Sequence, residues 1–485
     1  MATSMETKRL PVVVGIDVGT SGIRLSAVDI SGQVVWSGNE PLAAGHPTAE
    51  GIHEQHPSDW WSGVCRLGRE LMRALPLEDH EILGVAVTST SGTLVAVDGC
   101  GNPVRPAILY DDQRASFAAR ELNLQDAGGA TCWAASHSLT KALWLRNAEP
   151  RSWERVVRLL HPTDWITGKL TGQFDIADHS NALKMGFEVE TGEWNGIVER
   201  SGIRKATLPR IVRSGELVGR VCVEGSAQTG LPEVPVIAGA TDGIAGLIAS
   251  GAASCGDANT TLGTTLVWKV LSDRKPASIT RNIYCHLHPS GLWAPGAASN
   301  TGPGSISLPG GVRPSEELDV AALNYLPSRI FCYPISGMGE RFPFLNSETR
   351  GFMTSEPANM SEGYAAQLQA IAFVERWGYE VLQQSGVWVG ATVYSTGGAA
   401  SSKTLSRLRA SALNRRVVRC SDSNAAFGAA ILAASAVYYG GQLSEAIRSM
   451  THLAQTNLPE SDLGSRLNDA YGRFQEECRR RGYYA

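Results

Sequence analysis

Several signatures of nucleotide, metal and secreted proteins are missing from this chain. None of its eight lysines sits in a Gly-Lys-Ser/Thr triplet, so there is no P-loop. The nearest approach, Gly168-Lys169-Leu170, lacks the hydroxyl that would reach Mg²⁺. No GxGxxG follows the first strand-like run, which excludes a Rossmann dinucleotide fingerprint. The nine cysteines are odd in number, scattered, and form no Cys-x-x-Cys pair. In a long chain that pattern points to free thiols in a reducing, cytoplasmic setting. No apolar run reaches eighteen residues, so no membrane-spanning helix is expected. Residues Met1 to Leu10 hold too few apolar side chains for a secretory leader. A basic excess is also missing. With 43 basic and 47 acidic residues the net charge is −4, which argues against nucleic-acid binding. Cys285, His286 and His288 lie close together, but residues 283–288 alternate like a strand, so packing is favoured there over a metal site.

What remains is ample for a globular protein. The 485 residues, 43% of them apolar, allow two large domains. Residues 12–17 read as a strand, residues 19–22 as a glycine turn, and residues 23–30 and 33–36 as further strands. Trp60, Val64, Leu67 and Leu71 fall on one face of a helix over 57–74. Residues 82–87 read as a buried strand that ends in the polar loop Thr88 to Thr93. Helices are expected over 141–147 and 153–160. Past residue 230 the pattern of the opening returns. Residues 234–238 form a strand, Gly239-Ala240-Thr241-Asp242-Gly243 a turn, and residues 244–250 a small-residue helix. Then come strand 258–262, the turn Gly263-Thr264-Thr265, and strand 266–271. Asp17-Val18-Gly19-Thr20-Ser21 and Thr261-Leu262-Gly263-Thr264-Thr265 are half a chain apart, which suggests a duplicated domain. Later, strand 393–396 runs into Gly397-Gly398-Ala399-Ala400-Ser401-Ser402, followed by a helix. Helices are also expected over 424–439 and 461–481. Arg479-Arg480-Arg481 complements the dipole of the last one.

The strand-end glycine turns carry the chemistry. Glycine lets backbone N–H donors come close to a phosphate. A carboxylate such as Asp17 beside such a turn would repel a phosphate unless a divalent cation lay between them, so Asp17 with its Gly-Thr turn suggests a Mg²⁺–nucleotide site. Asp242 begins a helix, where a carboxylate is also at home as an ordinary cap. From local sequence, cap and catalytic base both stay open.

These motifs, in this order, resemble those of the FGGY carbohydrate kinases. The resemblance rests on Asp17-Val18-Gly19-Thr20-Ser21, Glu54 to Trp61, Lys141-Ala142-Leu143-Trp144-Leu145, Leu170-Thr171-Gly172, Gly239 to Asp242, Leu262 to Thr265 and Gly397-Gly398. It covers roughly residues 12–440. It implies an α/β fold of the actin–hexokinase (ribonuclease H-like) type: two duplicated domains, each on a five-stranded sheet, with a central cleft. The expected sugar-side domain is 11–249 plus 424–485, and the nucleotide-side domain 250–423. ATP and Mg²⁺ are the implied cofactors. By resemblance Asp242 is the catalytic base. Asp17, Thr20 and Ser21 serve phosphate and metal, with Asp242 as a second metal ligand. Asp17, Ser91 and Asp242 hold the sugar, and Gly263, Thr264, Gly397, Gly398 and Ser402 hold the nucleotide.

Residues 178–186, 298–302 and 339–343 look most similar to D-ribulose kinases, whereas residues 53–61 and 111–114 look more like xylulokinase-type members. The resemblance therefore implies phosphorylation of a ketopentose at a primary hydroxyl. D-ribulose is the first expectation and D-xylulose or another ketose or polyol the alternative. A sugar sensor without catalysis is the alternative of another class. The expected partners are sugar and ATP, without nucleic acid or membrane, in a monomer or homodimer. Three departures stand out. Relatives carry a third glycine, then Lys-Asn or similar, where this chain has Ala399 to Ser402. Gln369-Ala370 replaces a Glu-Gly pair. Ala142 replaces a larger apolar residue.

Overall fold

The computed structural model describes residues 9–43, 48, 50–126, 131–276 and 282–484. Most of the segment on which the leader expectation rests, residues 1–8, lies outside them. The chain forms two compact units. The first comprises Met1–Ala249 and Asn424–Met450, and the second Ser250–Ser423 and Thr451–Ala485.

The first unit is built on a mixed six-stranded sheet. Its strands are β1 (Leu10–Val18), β2 (Gly22–Asp29), β3 (Val34–Pro41), β4 (His80–Ser89), β5 (Leu217–Arg220) and β6 (Pro235–Thr241). They lie in the order β5-β6-β4-β1-β2-β3. β1, β4 and β6 run parallel, and β2 and β3 fold back antiparallel. Val12 to Val18 are buried, as expected for a central strand covered on both faces. The helix Pro57–Ala74 starts on a proline, needs no N–H there, and buries Trp60, Val64, Leu67 and Leu71. The helix Ala425–Val437 returns from far along the chain to lie against β1. A β-carbon at Gly15 would overlap the backbone of Ala426 and Ala430, so helix and strand meet backbone to backbone.

The second unit carries a seven-stranded sheet of β7 (Ala258–Leu262), β8 (Leu266–Val270), β9 (Tyr284–Leu287), β10 (Trp293–Ala298), β11 (Thr392–Thr396), β12 (Arg416–Cys420) and β13 (Leu453–Asn457). The order is β9-β10-β8-β7-β11-β12-β13. The duplication is visible in the pairing. β1 pairs antiparallel with β2 across one Gly-Thr turn and parallel with β4. Likewise β7 pairs antiparallel with β8 across the other and parallel with β11. Under this sheet lies a buried ion pair: Arg409 grips Glu375 through two N–H···O bonds of 2.6 and 2.7 Å, and both side chains are 0% exposed. Thr260 and Ser395 complete the network.

Three expectations are corrected. The sheets have six and seven strands, because edge strands add to the shared pattern. Residues 451–485 belong to the second unit, since β13 pairs with β12 and the helix Ser461–Arg480 buries Leu467, Tyr471 and Phe474 in that unit's core. Residues 153–160 are not a helix. After a short turn of helix, Pro150–Trp153, Arg158–Leu160 form a strand paired with Val95–Val97. The stretch 283–288 lies on and beside the edge strand β9. Among the described residues no helix is long and apolar enough to cross a membrane.

Candidate active site

In the first unit the carboxyl ends of three adjacent parallel strands bring the predicted residues together. Asp17 on β1 is in register with Thr88 on β4, and Thr88 with Ala240 on β6. Asp17 and the Thr241-Asp242 corner thus stand two strand spacings apart, about 9.5 Å at the backbone. Crevices outside such strand ends are the usual ligand sites of α/β sheets. A polar web fixes the corner from below. Ser89 Oγ and Thr163 Oγ1 are 2.6 Å apart, the Asn181 amide donates to Thr163 and Asp178, and the Ser180 hydroxyl bonds both Asp178 and the Thr241 N–H.

Asp17 is 4% exposed. Its Oδ2 accepts from Arg24 at 3.2 Å, while Oδ1 is buried without a partner. Burial, and then the negative charge of Asp242, push its carboxyl up to about 6 against the pull of Arg24. Asp242 opens the helix Asp242–Ala249 and is half-buried. Its Oδ1 accepts the N–H of Gly243 at 2.6 Å, the adjacent residue. An N-cap side chain bonds two or three residues on, so this contact is not the ordinary cap. Thr20 is half-buried and Ser21 exposed. Their turn is held by Gln55, whose amide donates to the Thr20 carbonyl at 2.7 Å while its oxygen accepts from Trp60. That is the local task of the Glu54-Gln55…Trp60 pattern. The Asp111 to Arg114 pattern holds the neighbouring wall. Asp112 accepts from the His53 N–H and pairs with Arg114, which also pairs with Glu54. Ser91 is half-buried, and its hydroxyl has no protein partner.

The residues fit a divalent cation. An orphaned, buried carboxylate oxygen on Asp17 is what a hard cation would satisfy, and Asp242 adds a second oxygen donor. Among the described residues no group of three or more His, Cys, Asp or Glu is placed to hold a metal, so the remaining ligands would be water and phosphate.

In the second unit a cavity of ≈ 860 Å³ is lined by Gly263, Thr264, Gly398, Ala399 and Ser402, with Asp319 and Tyr364 on its wall. Gly397 has φ of +88°, and a β-carbon there would stand 2.6 Å from the Leu262 carbonyl oxygen. A side chain is excluded at that position. A β-carbon at Gly398 would meet nothing within 4 Å, leaving its backbone open to a ligand. The loop that follows β10 rests on the Gly263 turn: Gly304 donates to the Gly263 carbonyl at 3.0 Å. Glu340, 2% exposed, anchors that loop by accepting from Ser299 Oγ, the Asn300 N–H and Tyr333 Oη.

Two departures gain a physical account. Ser402 lines the cavity, but its hydroxyl is engaged. It caps the helix Lys403–Leu413 through the Leu405 N–H and donates to Asp319 Oδ2 at 2.5 Å. Gln369 accepts from the Ser328 N–H and donates to the Ser328 carbonyl, a pairing that needs an amide and that a carboxylate cannot make. Sequence reasoning missed Asp319, 83 residues before Ser402, and Lys184, whose ammonium meets the Ser91 carbonyl. The signals for Lys184 were its place in the stretch 178–186 that resembles D-ribulose kinases, and its standing as one lysine within the otherwise apolar run Ala182 to Met185.

Comparison with known proteins identifies a family. Profiles of the FGGY family of carbohydrate kinases match the chain over residues 12–249 for the N-terminal domain and 253–437 for the C-terminal domain. A xylulose kinase of Streptomyces rubiginosus is 32% identical over 300 residues, 59% of each chain. One of Escherichia coli is 26% identical over 477 residues, 92% of this chain and 94% of that protein. The crystal structure of a xylulose kinase from Rhodospirillum rubrum superposes with a TM-score of 0.86 at 23% identity, covering 96% of this chain and 98% of the other.

Proposed function

The chain belongs to the FGGY family of carbohydrate kinases, enzymes that move a phosphoryl group from ATP to a sugar hydroxyl, and we propose that its substrate is a ketopentose phosphorylated at a primary hydroxyl, with D-xylulose the first candidate. The carrying observation is the convergence of Asp17, Asp242 and the unpartnered Ser91 hydroxyl at the carboxyl ends of three adjacent parallel strands. The relatives' names as xylulose kinases favour D-xylulose over the first expectation of D-ribulose. D-ribulose stays as the second reading because Lys184 and Glu340 stand in the stretches 178–186 and 339–343 that suggested it.

In the reaction, Asp242 accepts the proton of the primary hydroxyl as its oxygen attacks the terminal phosphorus of ATP. The bond to the ADP oxygen breaks, and its electron pair leaves with ADP. Asp17 and Asp242 would hold a magnesium ion, which neutralises phosphate charge when bound. Ser91 bonds a sugar hydroxyl. Gly263, Thr264, Gly397 and Gly398 offer backbone to the nucleotide, and Thr20 and Ser21 to the transferring phosphate. Ser402 acts by holding Asp319 on the cavity wall.

A coupled ADP-release assay across D-xylulose, D-ribulose, L-ribulose, glycerol and common polyols tests the substrate. D-xylulose should give the highest kcat/KM. A higher value for D-ribulose would reverse the order. Sugar binding without ADP release on any member would mark a sensor instead.

A further inference from the structure

Lys184 lies in the short 3₁₀ turn Leu183–Met185, just after the web that supports the Thr241 corner. Its ammonium donates to the Ser91 carbonyl at 3.1 Å. Its stem runs along Gly92, where φ is +92° and a β-carbon would stand 2.9 Å from Lys184 Cδ and 3.2 Å from Nζ. The lysine and the Ser136 carbonyl together occupy the space that a side chain at position 92 would take, and the lysine reaches the back of the substrate loop from there. An ammonium carries three N–H donors and no acceptor. One is used on the main chain of Ser91. Next to it the Ser91 hydroxyl is buried without a partner. Burial pushes the amine of Lys184 below its ordinary range, and the nearby charge of Asp242 opposes that in part by favouring the protonated form.

We propose that Lys184 is a substrate-orienting, specificity-determining residue: anchored on the Ser91 carbonyl, it offers its remaining ammonium protons, beside Ser91 Oγ, to the keto oxygen of an open-chain ketose. This rests on the ketopentose reading above. The chemistry is selective because a keto oxygen only accepts. A pure donor satisfies it fully. The hydroxyl of the matching polyol must also donate, and against an ammonium its proton finds no acceptor. Lys184 thus separates ketoses from their polyols, whereas the Ser91 hydroxyl, donor and acceptor at once, does not.

The test compares steady-state kinetics of the wild type, K184M and K184R on D-xylulose, D-ribulose and their polyols, with ATP as the varied substrate in a parallel series. K184M should raise the ketose KM by about ten- to a hundredfold, the range of one charge-assisted hydrogen bond. It should leave the KM for ATP within about twofold, and the preference for ketose over polyol should shrink by a similar factor. K184R keeps the cation and should recover part of that preference. If K184M does not fold, Lys184→Gln, which retains an N–H for the Ser91 carbonyl and loses the charge, carries the same comparison. An unchanged ketose KM, or an equal rise in both KM values, overturns the inference while leaving the ketopentose reading intact. A wild type inactive on every ketose overturns that reading, and the role of Lys184 with it.

Discussion

Asp17 and Asp242 face each other across one intervening strand, and the charge of Asp242 raises the cost of ionising Asp17. Asp17 Oδ2 has a cation beside it, Arg24, whose own side chain is 47% exposed. Two like charges held this close are a stability cost that a bound cation would relieve.

The sign of that cost is testable. Asp17 sits at about 6 in the folded chain against 3.8 in the open one, so the folded state binds the proton more tightly. Stability therefore falls as pH rises from about 4 to about 6 and stays reduced above that, by about 3 kcal/mol for a shift of this size. Asp17→Asn should raise Tm at pH 7.5, with the gap over wild type narrowing toward pH 4.5, and should lose phosphoryl transfer. Melting curves at the two pH values check it. An equal Tm difference at both would refute the assignment.

Asp242→Asn should leave the fold intact, because the amide oxygen can still accept the Gly243 N–H. Turnover should fall by about 10²–10⁴-fold, the usual worth of a general base. Near-normal turnover on the best substrate, with an unchanged melting curve, would remove Asp242 from the chemistry.

Ser402→Ala removes a helix cap and a partner of Asp319. The loss of the cap should cost about 1 kcal/mol. Because the Asp319 carboxylate then keeps only Tyr364 of its two hydroxyl partners on the cavity wall, the KM for ATP should rise severalfold while the sugar KM holds. Matching changes in both would show that the effect is not confined to the nucleotide side.

Arg409→Met leaves Glu375 buried and uncompensated. A loss of about 3–5 kcal/mol is expected, read as a shift of the urea midpoint. Pairing it with Glu375→Leu should recover much of that loss, because a well-packed apolar pair avoids desolvating two ions. A double variant no more stable than the single one would contradict this account.

The sequence made the scaffold of the site legible where the signal is local. Pro57 and the spacing of Trp60, Val64, Leu67 and Leu71 predict the helix 57–74 with its observed ends. The paired Gly-Thr turns predict a duplicated hairpin. Local signals fail where a distant partner decides. Residues 153–160 carry helix-like spacing, yet Val95–Val97 recruit Arg158–Leu160 into a sheet. The charge that perturbs Asp17 comes from a residue 225 positions away, and the partner that occupies the Ser402 hydroxyl lies 83 positions before it. The roles of single residues in the site were read by resemblance to a family, whereas the hydrogen bonds that fix their orientation appear only once the chain is folded.

The helix Ala425–Val437, pressed backbone to backbone on β1 at Gly15, has a consequence for how the protein is made. The strand that carries Asp17 leaves the ribosome well before the helix that covers it. Until residue 437 has been synthesised, the apolar face of β1 and the Ala245 turn of the helix Asp242–Ala249, on which Gly428 seats, lack their cover. At typical elongation rates of about 5–20 residues per second, that exposure lasts tens of seconds. A nascent chain halted before residue 424 should accordingly be protease-sensitive in its first unit, and one extended past residue 450 should not.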